Sequence, residues 1–291
     1  MSTTTTTTPA AQSGTFKIGG ELDVYRLGYG AMQITGPGIW GPPKDHDESV
    51  RVLRRCLELG INLIDTADSY GPHVSEELIA EALYPYPDGL IIATKAGLTR
   101  TGPNQWPVNG NPAYLRACLD GSLKRLKLDV IDLYQLHRID SSFPLEDQVG
   151  VFRDAQQAGK IRHIGLSEVT TEQLAAAQKV ATIATVQNRY NIADREWESV
   201  VDACEAQGIG FLPWFPLATG KLANPGGPLE TMAKKRDVAP AQVALAWLLH
   251  RSPVMLPIPG TSSVTHLDEN MAGAAIHLSD DEITELTNAV S

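Results

Sequence analysis

The chain has 291 residues, of which 43% are apolar, and a formal net charge of −10. That apolar share is enough to bury a sizeable core. The acidic balance argues against nucleic acid and anionic membranes as partners, because both need a broad basic face. No apolar stretch approaches the roughly 20 residues that span a bilayer.

The N-terminus carries a threonine tract, Ser2 to Thr8, without the basic and apolar regions of a secretory signal. Residues 1–14 are expected to be a disordered tail, and residues 15–291 one domain. "TFKIGGELDVYRL" reads as a short hairpin turned at Gly19-Gly20. "RLGYGAM" reads as a first strand, followed by a Gly/Pro-rich loop through Pro43. "DESVRVLRRCLELG" has an acidic first turn and Gly60 just past its end, the marks of a helix. Strand and helix then alternate: "NLIDT" and "SEELIAEALY", "LIIATK" and "PAYLRACLDGSLKRLKL", "VIDLYQLH" and "LEDQVGVFRDAQQAGK". "IRHIGLS" with "TEQLAAAQKV" and "ATVQN" with "REWESVVDACEAQG" continue the pattern. "GIGFLPW" leads through an irregular Gly/Pro/Lys insertion to "PAQVALAWLLHRS", and "VMLPIPG" leads to "VTHLDENMAGA". "LSDDEITELTNAV" is left over as an added C-terminal helix.

Eight strand–helix pairs are the count of a (β/α)8 barrel, an α/β fold. The hairpin would cap its closed end. The rival doubly wound sheet has little support, since "GYGAMQ" lacks the last glycine of the dinucleotide fingerprint. Cys56, Cys118 and Cys204 show no metal-ligand spacing, so no metal is expected, and reduced thiols fit a cytosolic setting.

Asp65, Tyr70, Lys95 and His137 fall at the ends of three successive apolar runs. In a parallel α/β protein those ends share one face, where ligands bind. Reducing a carbonyl needs hydride at carbon and a proton at oxygen. A phenol with an ordinary pKa near about 10 is a poor donor at neutral pH unless its phenolate is stabilised. An ammonium beside it does that, and a carboxylate keeps the ammonium charged and oriented. An imidazole can hydrogen-bond the carbonyl oxygen. Trp106, alone in a polar loop, and Met32 and Trp40, after strand one, are expected to wall the substrate pocket.

With these residues in place, the chain from about Leu27 to the C-terminus resembles the aldo-keto reductase superfamily. "DTADSYG", "ATKAG" and "QLHR" are similar to its tetrad motifs. The resemblance implies Tyr70 as the general acid, Lys95 and Asp65 as its tuning pair, and His137 as the orienting residue. "HIGLSE", "VQNRYN", "FPLATGKL" and "IPGTSSVTHLDEN" are similar to its cofactor motifs, and "LGYGAMQITGPGIWGPP" resembles bacterial pyridoxal reductases.

The cofactor implied by the resemblance is NADP(H), with NAD(H) the second choice, extended across the barrel mouth. Ser167 and Gln187 would bond the nicotinamide carboxamide, and Trp214 would stack on the ring. The segment Leu217 to Leu222, with Thr219 and Gly220 in it and Lys221 as a charge partner, would follow the pyrophosphate, and Phe215 and Pro216 before it are further expected cofactor contacts. Gly260, Thr261, Ser262 and Ser263 lead into a helix N-terminus suited to a phosphate, with His266, Glu269 and Asn270 beyond. Gly30, Ala31, Met32 and Asp65 complete the expected contacts. Glu168 stands where many relatives carry an asparagine, and it is assigned no contact. Gly260 and His266 replace a lysine and an arginine, and histidine is a weaker clamp than the always charged, forked arginine. The activity implied is reduction of small aldehydes or ketones, pyridoxal among them, by a monomer or weak homo-oligomer. The alternative is a cofactor-binding regulatory subunit with little turnover, like those associated with potassium channels.

Overall fold

The computed structural model describes residues 7–217 and 227–289. The hairpin forms as expected: β1 (Thr15–Ile18) pairs antiparallel with β2 (Leu22–Tyr25) across Gly19 and Gly20, both at positive φ. Seven parallel strands come next in sequence order: β3 (Tyr29–Gly30), β4 (Leu63–Asp65), β5 (Ile91–Ala96), β6 (Ile131–Leu136), β7 (Ile161–Ser167), β8 (Ile183–Gln187) and β9 (Gly210–Phe211).

The expected eighth strand is present as an extended segment that closes the ring. Phe211 N donates to Val254 O and Leu256 N to Phe211 O on one side. Gly28 N donates to Pro257 O and Gly30 N to Pro259 O on the other. Pro257 and Pro259 have no N–H to return toward β3, so this side of the ladder only accepts. The ring is a (β/α)8 barrel with one seam weakened by proline.

Side chains alternate across the barrel wall as the period of a strand requires. Leu63, Ile91, Ala93 and Leu133 point inward, where they pack with Ile18, Leu22 and Val24 of the hairpin. Ile64, Ile92, Tyr134 and Leu136 point outward into the larger core beneath the helices. The hairpin therefore plugs the N-terminal end of the barrel with apolar side chains. One step further along the same inward rows stand Asp65, Lys95 and Gln135, all buried. The interior thus has an apolar floor and a polar upper layer.

The helices are α1 (His46–Glu58), α2 (Val74–Leu83), α3 (Pro112–Leu126), α4 (Leu145–Gln157), α5 (Thr171–Ala177), α6 (Glu198–Gln207), α7 (Pro228–Arg236), α8 (Pro240–Arg251), α9 (Val264–Ala272) and α10 (Asp280–Ala289). Asp45 caps α1 by accepting from Glu48 N at 2.8 Å, and Gly60 turns the chain at φ +80°. Among the described residues no helix is long and apolar enough to cross a membrane.

The structure departs from the sequence-based expectations in three places. The tail does not run to residue 14: Ala10–Ser13 form a 3-10 turn, Ala10 is buried, and the Ser13 hydroxyl accepts from Leu27 N. The first strand is only Tyr29–Gly30, because Ala31–Ile34 turn into a 3-10 helix. Part of the insertion before α8 is α7, and its Arg236 pairs with Glu282 on α10. Its polar sequence hid the helix, since only Leu229, Met232 and Ala233 are buried.

Candidate active site

The C-terminal ends of the strands open into a cleft of about 800 Å3. Lys95 is fully buried, and its Nζ donates to Asp65 Oδ2 at 2.6 Å and to Thr66 O at 2.7 Å. The other carboxylate oxygen, Asp65 Oδ1, accepts from Gln135 Nε2 and from Gln187 Nε2, each at 2.9 Å. Gly165 makes room for this network: a Cβ there would lie 2.7 Å from Gln135 Cγ. Both carboxylate oxygens are thus engaged, as a buried charge demands. Burial alone would pull the Lys95 ammonium down, but Asp65 and Tyr70 outweigh it and hold the pKa above its ordinary value. The lysine is a fixed cation.

Tyr70 lies against that cation, with Lys95 Nζ 5.2 Å from its ring centroid. Burial raises the phenol above its ordinary pKa, while Lys95 and Arg138 pull it back. The ammonium acts in the expected direction, but burial wins, so the phenol is fully protonated at neutral pH. His137 sits edge-on to Tyr70, with ring centroids 5.8 Å apart. Its pKa falls well below the usual histidine value through burial first, then Lys95 and Arg138, so the ring is neutral. Its Nδ1 contacts Ser69 Oγ at 3.4 Å.

The expected pocket walls divide. Trp106 and Met32 line the cleft. Trp106 meets Tyr70 edge-to-face at 6.3 Å, and the Arg100 guanidinium stacks 3.6 Å from its centroid. Trp40 is not in the lining; it stands behind, 5.5 Å from the same guanidinium. Arg100 holds this wall in place through bonds to the Ile39, Ser69 and Gly38 carbonyls.

Of the expected cofactor residues, Gly30, Met32, Asp65, Ser167, Gln187, Trp214, Phe215, Pro216, Leu217, Gly260, Thr261 and Ser262 line the cleft. Ala31 does not; it is buried, and its carbonyl accepts from Ser75 Oγ. Ser263, His266, Glu269 and Asn270 lie on or next to α9, beyond the lining. Thr219, Gly220 and Lys221 fall outside the described residues. Gln187 turns its amide nitrogen to Asp65, which leaves its oxygen as the group that can accept from a ligand.

Glu168, to which the sequence assigns no contact, anchors the expected stacking platform. Its Oε1 accepts from Trp214 Nε1 at 2.6 Å and from Arg189 N at 2.7 Å, and the residue takes a left-handed φ of +56° to do so. The indole edge is therefore fixed. Trp214→Ala should weaken NADPH and NADH equally and abolish most of the tryptophan fluorescence quench on binding. Glu168→Ala should do the same more mildly, by about 1–2 kcal/mol, through a loosened indole. A Glu168→Ala protein that discriminates between the two cofactors would contradict this.

The helix end expected to take a phosphate is partly filled. Ser263 caps α9 toward His266 N, and Val264 N donates to Glu48 Oε1 at 3.0 Å. Glu48 is held below the usual carboxylate range first by that amide and then by Arg51, so it is ionised at neutral pH. Gly260 packs against β3, where a Cβ would meet Gly30 O at 2.7 Å, so a lysine cannot replace it without moving the strand seam. The lining residues fit a dinucleotide along the cleft, and a phosphate placed at this helix end would have an acidic neighbour. Glu48→Gln keeps an acceptor for Val264 N and removes only the charge, and should tighten NADPH a few-fold with little change for NADH. His266→Arg should also favour NADPH, by about 1 kcal/mol. Equal titration curves for the two cofactors would place the phosphate elsewhere.

Residues 26–291 match the aldo/keto reductase family, and the chain belongs to that family. It is 51% identical over 277 residues to an uncharacterised oxidoreductase of Schizosaccharomyces pombe, covering 95% of this chain and 90% of that one. It is 46% identical over 280 residues to pyridoxine 4-dehydrogenase of Escherichia coli, covering 94% and 97%. An aldo-keto reductase of Klebsiella pneumoniae, solved in complex with NADPH, superposes with a TM-score of 0.80 at 28% identity over 94% of both chains.

Proposed function

We propose that this enzyme reduces aromatic aldehydes to alcohols with NADPH, pyridoxal being the leading substrate. The observation that carries the reading is the buried Asp65–Lys95–Tyr70 unit beside a neutral His137, at the head of a cleft walled by Trp106 and Trp214. Support for the substrate comes from the relative named pyridoxine 4-dehydrogenase, since dehydrogenation at the 4-carbinol gives the 4-aldehyde. Support for the cofactor comes from the NADPH complex of the Klebsiella structure.

When bound, NADPH supplies the hydride. His137, neutral, hydrogen-bonds the carbonyl oxygen and sets its position between imidazole and phenol. Tyr70 gives that oxygen its proton as charge develops there. The Lys95 ammonium, held by Asp65, then stabilises the phenolate left behind. Trp106 and Trp214 shield the site from water, which strengthens each of these interactions. Ser167, Gln187 and Trp214 would hold the nicotinamide end. The test is NADPH oxidation with a panel of aldehydes and identification of the alcohol formed. Tight NADPH binding without oxidation by any aldehyde would favour a cofactor-binding regulatory subunit instead.

A further inference from the structure

Arg138 is the only lysine or arginine lining the cleft among the described residues, and the sequence motifs give it no role. It comes directly after His137 at the end of β6, and its side chain folds over toward the end of β7. Nη1 donates to His137 O at 2.5 Å and to Ser167 Oγ at 3.0 Å. A guanidinium has five N–H donors. Those on Nε and Nη2 make no hydrogen bond to a described residue.

The contrast with two other arginines is informative. Arg26 and Arg100 also lack acidic partners, but backbone carbonyls absorb their donors through Nε and at least one terminal nitrogen. Arg138 has no such set. The carboxylate that acts on it, Glu168, turns its Oε1 to Trp214 Nε1 and Arg189 N and forms no ion pair with Arg138. A half-buried cation with unspent donors facing a cleft is costly unless something from the cleft completes it.

Its position defines what that group is. Arg138 follows His137 directly, is tied to the His137 carbonyl and the Ser167 hydroxyl, and lines the same cleft as Tyr70 and His137, which puts its free donors beside the carbonyl oxygen those two would share. The rest of the cleft offers Trp106, Leu98 and Val108 as walls for a planar ring. We propose that Arg138 is an anion subsite beside the carbonyl position, and that it selects aromatic aldehydes bearing an ionised oxygen on the adjacent ring carbon. An ortho oxygen is the ring substituent nearest the aldehyde, whereas a para oxygen points away from the four-residue unit. The proposal rests on the reading of this cleft as a carbonyl site, and it specifies which feature of the substrate is recognised.

The experiment compares 2-hydroxybenzaldehyde, 4-hydroxybenzaldehyde and benzaldehyde with the full-length wild type, Arg138→Met and Arg138→Lys. Two readouts are taken above the pH at which the 2-hydroxy isomer ionises. One is the Kd of each aldehyde for the NADP+ complex, from tryptophan fluorescence, and the other is kcat/KM with NADPH. The wild type should prefer the 2-hydroxy isomer. Arg138→Met should weaken that isomer by about 10- to 100-fold, the range for a charge-assisted hydrogen bond. It should weaken the other two only a few-fold, through the lost field on Tyr70, and Arg138→Lys should recover part of the preference. The proposal is overturned if the wild type shows no ortho preference, or if Arg138→Met weakens all three aldehydes alike. A matching loss in NADPH affinity would assign Arg138 to the cofactor and also overturn it. Should Arg138→Met not fold, the Arg138→Lys comparison and the wild-type preference decide alone. If no aldehyde is reduced, the function proposed above fails, while binding to the NADP+ complex still tests the subsite.

Discussion

Replacing Tyr70 with phenylalanine should lower aldehyde reduction by about 10²- to 10⁴-fold, the usual loss for a well-placed general acid. The ring itself packs against Trp106 and His137 at the edge of the cleft, and phenylalanine keeps both contacts. The fold and the NADPH affinity should therefore survive, which separates a chemical loss from a structural one. Steady-state rates on the best aldehyde, with Kd for NADPH measured in parallel, check this. A Tyr70→Phe protein reducing that aldehyde at near wild-type rate would remove Tyr70 from the mechanism.

Lys95→Met should damage both rate and stability. The ammonium is fully buried and paired with Asp65 at 2.6 Å, so removing it leaves a carboxylate with only the Gln135 and Gln187 amides. Breaking a buried pair on one side typically costs about 3–5 kcal/mol. Denaturant midpoints should record that loss, and NADPH oxidation should fall about as far as in Tyr70→Phe. Replacing the pair by apolar residues, Asp65→Leu with Lys95→Met, should recover much of the stability and none of the rate, because the uncompensated charge goes while the phenol stays untuned. Tyr70→Phe combined with Lys95→Met should be little slower than the worse single variant, as expected for groups acting as one unit. Multiplicative losses would show that the two act independently.

Residues that announce themselves at strand ends were the legible part of this site. Asp65 and Lys95 each close an apolar run, and a charge there implies a partner, which the sequence order of strands then supplies. The strand–helix alternation was equally plain, since parallel strands buried on both faces read as continuous apolar stretches. Contacts between segments distant in the sequence were not legible. Glu168 and Trp214 are 46 positions apart, and Glu48 reaches Val264 across 216 positions. Neither glutamate differs in its local sequence from a solvated one. Arg138 escapes notice for a similar reason, because nothing local says whether an arginine after a strand meets an acid, a carbonyl or a cleft. The eighth strand is recognisable by its apolar run, while Pro257 and Pro259 explain why it pairs so sparsely.

The most direct test of the proton-donating unit is the pH dependence of single-turnover NADPH oxidation in the preformed complex with aldehyde, for wild type and Lys95→Met. Tyr70 must be protonated to act, so the rate should hold at low and neutral pH and fall as pH rises through the phenol's pKa. Lys95 lowers that pKa, so in Lys95→Met the phenol should ionise later and be a weaker acid. The expected result is a lower plateau with its alkaline limb displaced to higher pH. An alkaline limb that stays where it is in Lys95→Met, or that persists in Tyr70→Phe, would contradict the assignment of Tyr70 as the acid tuned by Lys95.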